Sequence, residues 1–315
     1  GEPMHDAGYY FMDSPGNDLE SIAGQVAAGS NIIFFVTGNG SITNFPFVPT
    51  IKIVTTTDRY NLLKKDMDVN AGAYQDGEPM EKLGTSMLNL TVETASGTPS
   101  IGEKAGHSQV SIWRNWQQND ANKTDQILNA PKPEGQPIPI STPKSSNRNF
   151  LAIQTQNGPK TDQIGLVLPT SLCSGQIAQL ITKQLNQRKL GQDRGISRFV
   201  ALAHTEGCGA SGGSSERLYA QTLIGHLLHP IVGLGVLLEH GCEKTHNDYI
   251  KNDLAQLGIN STKYGWASVQ LDGGIDAVTQ KIEQWFDQSV AGLEDVTYSE
   301  GSLRDLHIGL ISIGK

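Results

Sequence analysis

The chain is 315 residues long, carries a formal net charge of -8 with a sequence pI of about 5.5, and is 18% charged and 37% hydrophobic. That length is enough for two domains, each burying its own core. An acidic chain with no basic stretch interleaved with aromatics argues against a nucleic-acid partner, and no apolar run approaches the roughly 20 residues of a membrane span.

The amino end, Gly1-Glu2-Pro3-Met4-His5-Asp6, has neither a basic n-region nor an apolar h-region, so it does not read as a signal peptide. Residues 9–12 form a short apolar strand candidate that runs into Asp13-Ser14-Pro15-Gly16, a turn signature. Leu19, Ile22, Ala23, Val26 and Ala27 then recur at helical spacing, with Asn17 or Asp18 as cap and Gly29 as stop. Residues 31–36 (NIIFFV) read as a buried strand. The turn after it, Thr37-Gly38-Asn39-Gly40-Ser41, has two readings: a cradle of backbone amides for an anion, or a tight connection using glycine for positive φ.

Residues 50–54 (TIKIV) form another strand, with Lys52 in an otherwise apolar run. Such a lysine marks an edge strand or a functional amine in a cleft. Residues 60–67 are expected to be helical. The following Asp66, Asp68 and Asn70 read as a solvated helix end or as ligands for a cation or substrate hydroxyls. Met80, Leu83, Met87 and Leu90 make the core stripe of a helix that stops near Ser96-Gly97. From about residue 118 to 149 five prolines lie among polar residues, the mark of a partly extended linker. Trp113 and Trp116 just before it are expected to pin the end of the first module.

The second half alternates. Apolar runs at 164–169, 198–203, 232–238 and 266–271 are each followed by a helical pattern, which predicts repeated βα units and a parallel sheet with right-handed crossovers. The expected fold class is therefore α/β: two α/β modules, the second a parallel Rossmann- or flavodoxin-like sheet flanked by helices. Module boundaries fall at 1–117, linker 118–149, module 150–298 and a further segment 299–315. That last stretch contains the strand 307–313 and reads as the truncated start of something more.

All three cysteines follow such apolar runs. Cys173 comes after 164–169, Cys208 after 198–203 and Cys242 after 232–238. Ligands in open α/β sheets bind beyond the carboxyl ends of the strands, so neighbouring strands would bring the three together. An odd number of thiols with no CxxC pair points to a reducing compartment and to ligand or core roles. The sequons at Asn39, Asn89, Asn122 and Asn260 then read as chance matches. With His204 and Glu243 beside two of them, the thiolates suit iron, as a cluster or a single ion. Zinc or another divalent ion is the weaker fit, because zinc usually takes closer-spaced pairs. The competing reading is that free cysteines are simply core residues. Residues 209–213 match G-x-S-x-G, but Ser211 lies too far past its strand for a nucleophile elbow.

Several motifs carry a family resemblance. The stretches 11–16, 24–29, 37–41, 49–52 and 66–72 resemble the C-terminal domain of the altronate/galactarate dehydratase family. Thr170 to Cys173, His204 to Gly209, His229-Pro230 and Gly241-Cys242-Glu243 resemble its central domain. The order is unusual, with a C-terminal-like piece ahead of a central-like one. It suggests a piece of a longer protein carrying a second copy of the central domain. The resemblance implies a hydro-lyase that dehydrates a hexonate or hexarate to a 2-keto-3-deoxy acid, expected from its thiols to be cytoplasmic and iron-dependent. In it Cys173, Cys208 and Cys242 would bind iron, His204 would act as base or ligand, and Glu243 would orient or ligate. Lys52 with Thr37, Gly38, Gly40 and Ser41 would hold the substrate carboxylate. It also implies a homodimer or part of a longer chain. Two departures stand out: Asn39 replaces the arginine of the family's Thr-Gly-Arg-Gly-Ser turn, and residues 239–246 are more polar than the family's Gly-Leu-Gly-Cys-Glu loop. The rival reading is a non-catalytic duplicated module that shapes or dimerises a larger enzyme.

Overall fold

A computed structural model describes residues 4, 8–12, 14, 17–112, 125–126, 129–130, 148–155, 158–206 and 212–313. In chain order the first part comprises α1 (Asp18–Ala27), β1 (Ile32–Thr37), β2 (Thr50–Val54), α2 (Thr57–Leu62), β3 (Val69–Asn70), α3 (Met80–Ala95) and α4 (Ile101–Lys104). The second comprises β4 (Asn149–Thr155), β5 (Gly158–Lys160), β6 (Ile164–Pro169), α5 (Leu172–Gln187), β7 (Phe199–Ala201), α6 (Gly213–Leu227), β8 (Val232–Glu239), α7 (Asn247–Gln256), β9 (Gly265–Ser268), α8 (Ile275–Ala291), β10 (Thr297–Ser302) and β11 (Ile308–Ile313). Most of the expected linker, Trp113 and Trp116 lie outside the described residues.

Local chemistry explains the starts and stops. Asn17 caps α1, its side chain accepting from the Leu19 and Glu20 amides. Ser100 and Glu103 form a reciprocal capping box on α4. Gly72 is there for closeness: a Cβ at that position would sit 2.5 Å from the Thr56 backbone. Two expectations shift. Residues 9–12 are not a strand, and Tyr9 and Phe11 are about nine-tenths exposed. The helix expected over 60–67 is α2, which begins at Thr57 and ends at Leu62. On α3, Leu83, Met87 and Leu90 pack on the core as expected, but Met80 at its first turn is exposed.

The described strands form three sheets. Sheet A, order β11-β1-β2-β3, is parallel throughout. Its first strand is the one that reads in sequence as the start of a further segment. Instead β11 runs beside β1 from Ile32↔Ile308 to Thr37↔Ile313. Ile311 is buried there, Gln25 Nε2 of α1 donates to Leu310 O at 3.2 Å, and the Asn31 amide donates to His307 O at 2.8 Å. Gly309 allows the approach, because a Cβ there would run into Gln25 and Ile33.

Sheet B, order β10-β4-β5, is antiparallel and was not foreseen. Sheet C, order β7-β6-β8-β9, is the predicted parallel sheet, with the flavodoxin-like order in which the chain reverses direction around its first strand. Helices α5 and α8 cover one face through Ile177, Ile181, Val278, Ile282 and Phe286. Helices α6 and α7 cover the other through Tyr219, Leu223, Leu227, Ile250 and Leu254.

The two halves share a core. Ile22, Val26, Phe35, Phe45 and Phe47 from the first belong to the same buried cluster as Leu166, Leu168, Leu202 and Leu223 from the second. At the seam α1 meets α6. Gly225 lies so close to the Ala27 carbonyl that any Cβ would collide with it.

Candidate functional site

Three loops follow the carboxyl ends of β6, β7 and β8, the neighbouring strands of sheet C, and buried hydrogen bonds tie them together. Glu243 is the centre of the first knot. Its Oε1 accepts from the Thr170 hydroxyl (3.2 Å), the Ser171 hydroxyl (2.7 Å) and the His240 amide (2.6 Å), while Oε2 accepts from the Gly241 amide (2.6 Å). Burial pushes this carboxyl up, but the His240 and Gly241 amides and the Ser171 hydroxyl outweigh it, and the group stays below the usual glutamate range. Gly241 is in the left-handed region at φ 122°, which lets the loop fold its amides back onto the carboxylate.

His204 is the second knot. Its Nδ1 accepts from the Glu206 amide at 3.2 Å, which leaves Nε2 carrying the proton. Nε2 lies 3.0 Å from Pro169 O and 3.4 Å from the Tyr219 hydroxyl. The Tyr219 hydroxyl in turn donates to Thr170 O at 2.7 Å, and the Leu172 amide donates to Glu206 O at 2.5 Å. Burial holds the His204 imidazole below its ordinary pKa, with the Pro169 carbonyl and Glu206 opposing, and burial drives the Tyr219 hydroxyl up.

Around these knots sit the thiols. Cys173 is in the first turn of α5 and Cys242 on the β8 loop; both are exposed and neither is in a disulfide. Cys242 Sγ lies 3.5 Å from His240 Nδ1. Cys208 falls in 207–211, outside the described residues, as does Ser211. The loops on which sequence places the three thiols are therefore adjacent. His204 and Glu243, read in sequence as base or ligands, have their ring nitrogens and carboxylate oxygens engaged by the protein itself. Among the described residues no group of three or more His, Cys, Asp or Glu is gathered as a metal would need. Of that set, the Cys173 and Cys242 thiols are exposed, whereas the imidazole and the carboxylate are held by the protein itself.

Sequence reasoning passed over Thr170, Ser171 and Tyr219. Two hydroxyls directly after a buried strand were the available signal for the first pair. Nothing in the pattern around Tyr219 distinguishes it from a core aromatic.

The first module's candidates lie elsewhere in the fold. Lys52 is in mid-strand on β2, paired with Phe35 of β1, and the β2 strand has β3 on its other side. It is fully buried, and its Nζ has no hydrogen-bond partner among the described residues. Desolvation lowers its pKa, and the Asp68 and Asp66 carboxylates pull it back up. The edge-strand explanation for this lysine does not hold, because its strand is interior. Asp68 is an internal brace: it accepts from the Lys52 amide and the Ile101 amide, both at 2.9 Å.

The Thr37 turn closes on itself, with the Thr37 hydroxyl accepting from the Asn39 amide at 3.3 Å and the Gly40 amide at 3.1 Å. Those two amides are not directed outward as an anion cradle requires. Ser41 and Thr43 share a 2.7 Å hydroxyl contact beside an open cleft of about 450 Å³ lined by Asn17, Asp18, Leu19, Ile42, Thr43 and Gln109. Lys52 does not line that cleft.

Taken together, this is an α/β protein with a parallel, flavodoxin-ordered sheet whose switch-point edge bears cysteine loops. Two family profiles match it: "D-galactarate/Altronate dehydratase, C-terminal" over residues 1–118, and "D-galactarate dehydratase/Altronate hydrolase, second domain" over 163–293. The chain belongs to the galactarate dehydratase/altronate hydrolase family. It is 31% identical to an altronate dehydratase of Bacillus subtilis over 115 residues, covering 36% of this chain and 23% of that protein. The altronate dehydratase of Escherichia coli is 29% identical over 114 residues, with the same coverage. The beta subunit of a (2R)-sulfolactate sulfo-lyase from Chromohalobacter salexigens is 27% identical over 108 residues, 34% of this chain and 28% of the relative. The matched part thus spans about a quarter of each relative's length. No solved structure matches.

Proposed function

We propose that this chain contributes the thiol-bearing site of a sugar-acid lyase, one that removes water from a hexonate or hexarate such as altronate or galactarate and leaves a 2-keto-3-deoxy acid. The observation that carries the reading is the junction of the β6, β7 and β8 loops, with Cys173 and Cys242 exposed on it, in a chain of this family. The relatives' names point the same way, since the dehydratases and the sulfo-lyase are all lyases acting on hydroxy acids. We assign iron to Cys173, Cys208 and Cys242. When bound, it would supply Lewis-acid stabilisation to a substrate oxygen.

The chain's own residues have narrower tasks in this reading. Glu243 and His204 hold the loops in place. The Glu206 amide occupies the Nδ1 lone pair of His204, and four donors hold the Glu243 carboxylate below the usual glutamate range, so neither is suited to abstracting the proton beside the substrate carboxylate. Lys52 is the one buried amine without a hydrogen-bond partner among the described residues. Its lowered pKa suits a group that takes up a carboxylate or a proton, provided substrate reaches it. The setting is the cytoplasm, whose reducing conditions keep such thiols unpaired; no described helix is long and apolar enough to cross a membrane. The assembly is a homodimer or a larger chain that supplies what this one does not span.

The test is a dehydratase assay with altronate and galactarate on anaerobically purified protein, alongside its iron content. Cys173→Ala and Cys242→Ala should each lose the bound iron and at least about 100-fold in rate, the scale of losing a preorganised electrostatic element. Full activity in both variants would sink the thiolate site. A chain that is inactive with every sugar acid, yet restores activity to its larger parent protein, would favour a structural module instead.

A further inference from the structure

The buried hydrogen bonds beneath the two thiols do more than stabilise the fold. Tyr219 and Glu243 are 2% and 4% exposed, and both lie under loops whose outer residues are open to solvent. Burying a phenol and a carboxylate has a desolvation cost that well-packed apolar side chains avoid. Here the network joins each of the three loops to another. Tyr219 on α6 holds the Thr170 carbonyl, three residues before Cys173. Glu243 gathers the Thr170 and Ser171 hydroxyls on one side and the His240 and Gly241 amides on the other, immediately before Cys242. His204 fastens Pro169 to the β7 loop, whose Glu206 carbonyl takes the first amide of α5. A satisfied polar network of this kind fixes a unique geometry where apolar packing would leave a loop to slide.

We infer that Tyr219 and Glu243, with His204 beside Tyr219, are positioning residues that fix the Cys173 thiol relative to the Cys242 thiol. They brace the site and do not ligate or exchange protons. The inference deepens the thiolate reading above, and only its metal arm rests on that reading.

The experiment has two readouts. In full-length Cys208→Ser protein, nitroxide labels on Cys173 and Cys242 report the distance between the two loops. A narrow distribution is expected, broadened by Tyr219→Phe and by Glu243→Gln. Thr170→Val, which removes one hydroxyl and keeps the shape, should broaden it in the same direction, and it serves if a harsher variant does not fold. Ile282→Val, in the separate cluster under α8, controls for general loosening and should leave the distribution narrow. Unchanged widths in Tyr219→Phe and Glu243→Gln, or equal broadening in Ile282→Val, would overturn the inference. Separately, Co(II) alone is titrated into reduced, unlabelled protein and followed by its thiolate charge-transfer absorption. The same two variants should weaken binding about 10–100-fold, as loss of the groups that orient metal ligands does. A native protein without that absorption defeats the metal reading, while the label distances still decide whether the brace exists.

Discussion

At the residue scale, Lys52 is the side chain whose chemistry and burial are most at odds. A fully buried amine without a hydrogen-bond partner among the described residues forfeits about 1–3 kcal/mol of hydration. Asp68 and Asp66 raise its pKa only against a larger desolvation. Lys52→Met, similar in length and free of charge, is therefore expected to raise the unfolding free energy by about 1–3 kcal/mol. If the amine receives substrate, the same variant loses activity while its Tm rises, a pairing that a plain packing defect does not produce. Denaturant melts and an assay on one preparation separate the cases; a lower Tm would show that the amine has an ion-pairing role its hydrogen bonds do not reveal. Sequence exposed Lys52 as an oddity in an apolar run. It did not show that the strand is interior, because β3 is only a two-residue strand. His204 and Glu243 were visible as residue types. That the protein itself engages them was not, because the partners are backbone groups and hydroxyls brought together only by the fold.

At the element scale, the carboxyl end of α6 forms the seam between the halves. His226 Nε2 lies 3.0 Å from Ala23 O of α1, and His229 Nε2 lies 3.1 Å from Ser30 O, just beyond it. His229 Nδ1 accepts from the Ile231 amide at 3.2 Å, so both imidazoles serve as neutral donors across the seam. Burial pushes His226 down to about 3 and His229 down to about 4; the Ala23 and Ser30 carbonyls oppose it, while His307 and Lys160 add to the depression of His229. The sign follows from linkage. The unfolded chain takes up these protons near pH 6.5, the folded one only below 4. Stability is complete above about pH 6.5 and falls with acidification, by about 1.4 kcal/mol per pH unit for each histidine. His229→Gln keeps a donor for Ser30 O and removes the titration, so it should roughly halve the steepness of stability against pH between 4 and 6.5. Equilibrium denaturation across that range measures it; an unchanged slope would show that His229 is protonated while folded. The βα units of sheet C were legible, because each strand is a bounded apolar run feeding an amphipathic helix. The seam was not, because Gly225 and these histidines look ordinary until α1 lies against them.

At the scale of the whole molecule, the chain closes on itself. Sheet A takes β1, β2 and β3 from its first hundred residues and β11 from its last ten. Sheet B pairs β4 with β10 across roughly half that gap, from Asn149↔Ser302 to Gln154↔Thr297. Sequence patterns carry no record of such distant pairings. The apolar character of β11 was plain, but its partner lies some 275 residues earlier in the chain, and β10 (TYSEGS) is mostly exposed and lacks an apolar signal altogether. One consequence is mechanical. With a shared core and a strand lent by the far end, the halves should unfold together. Native-state hydrogen exchange is expected to give the β1 and β2 amides the same opening free energy as those of β6 and β8, the signature of one cooperative unit. Ile311→Ala empties a buried position shared with both halves and should lower both values by about 2–5 kcal/mol in parallel. Ending the chain after Ser302 removes β11, leaves β1 as an open edge and should divide the protection, with sheet A opening well before sheet C. If instead the two sheets already exchange at different free energies in the intact chain, and Ile311→Ala moves only one of them, the β11 pairing is an appendage rather than the closure of the fold.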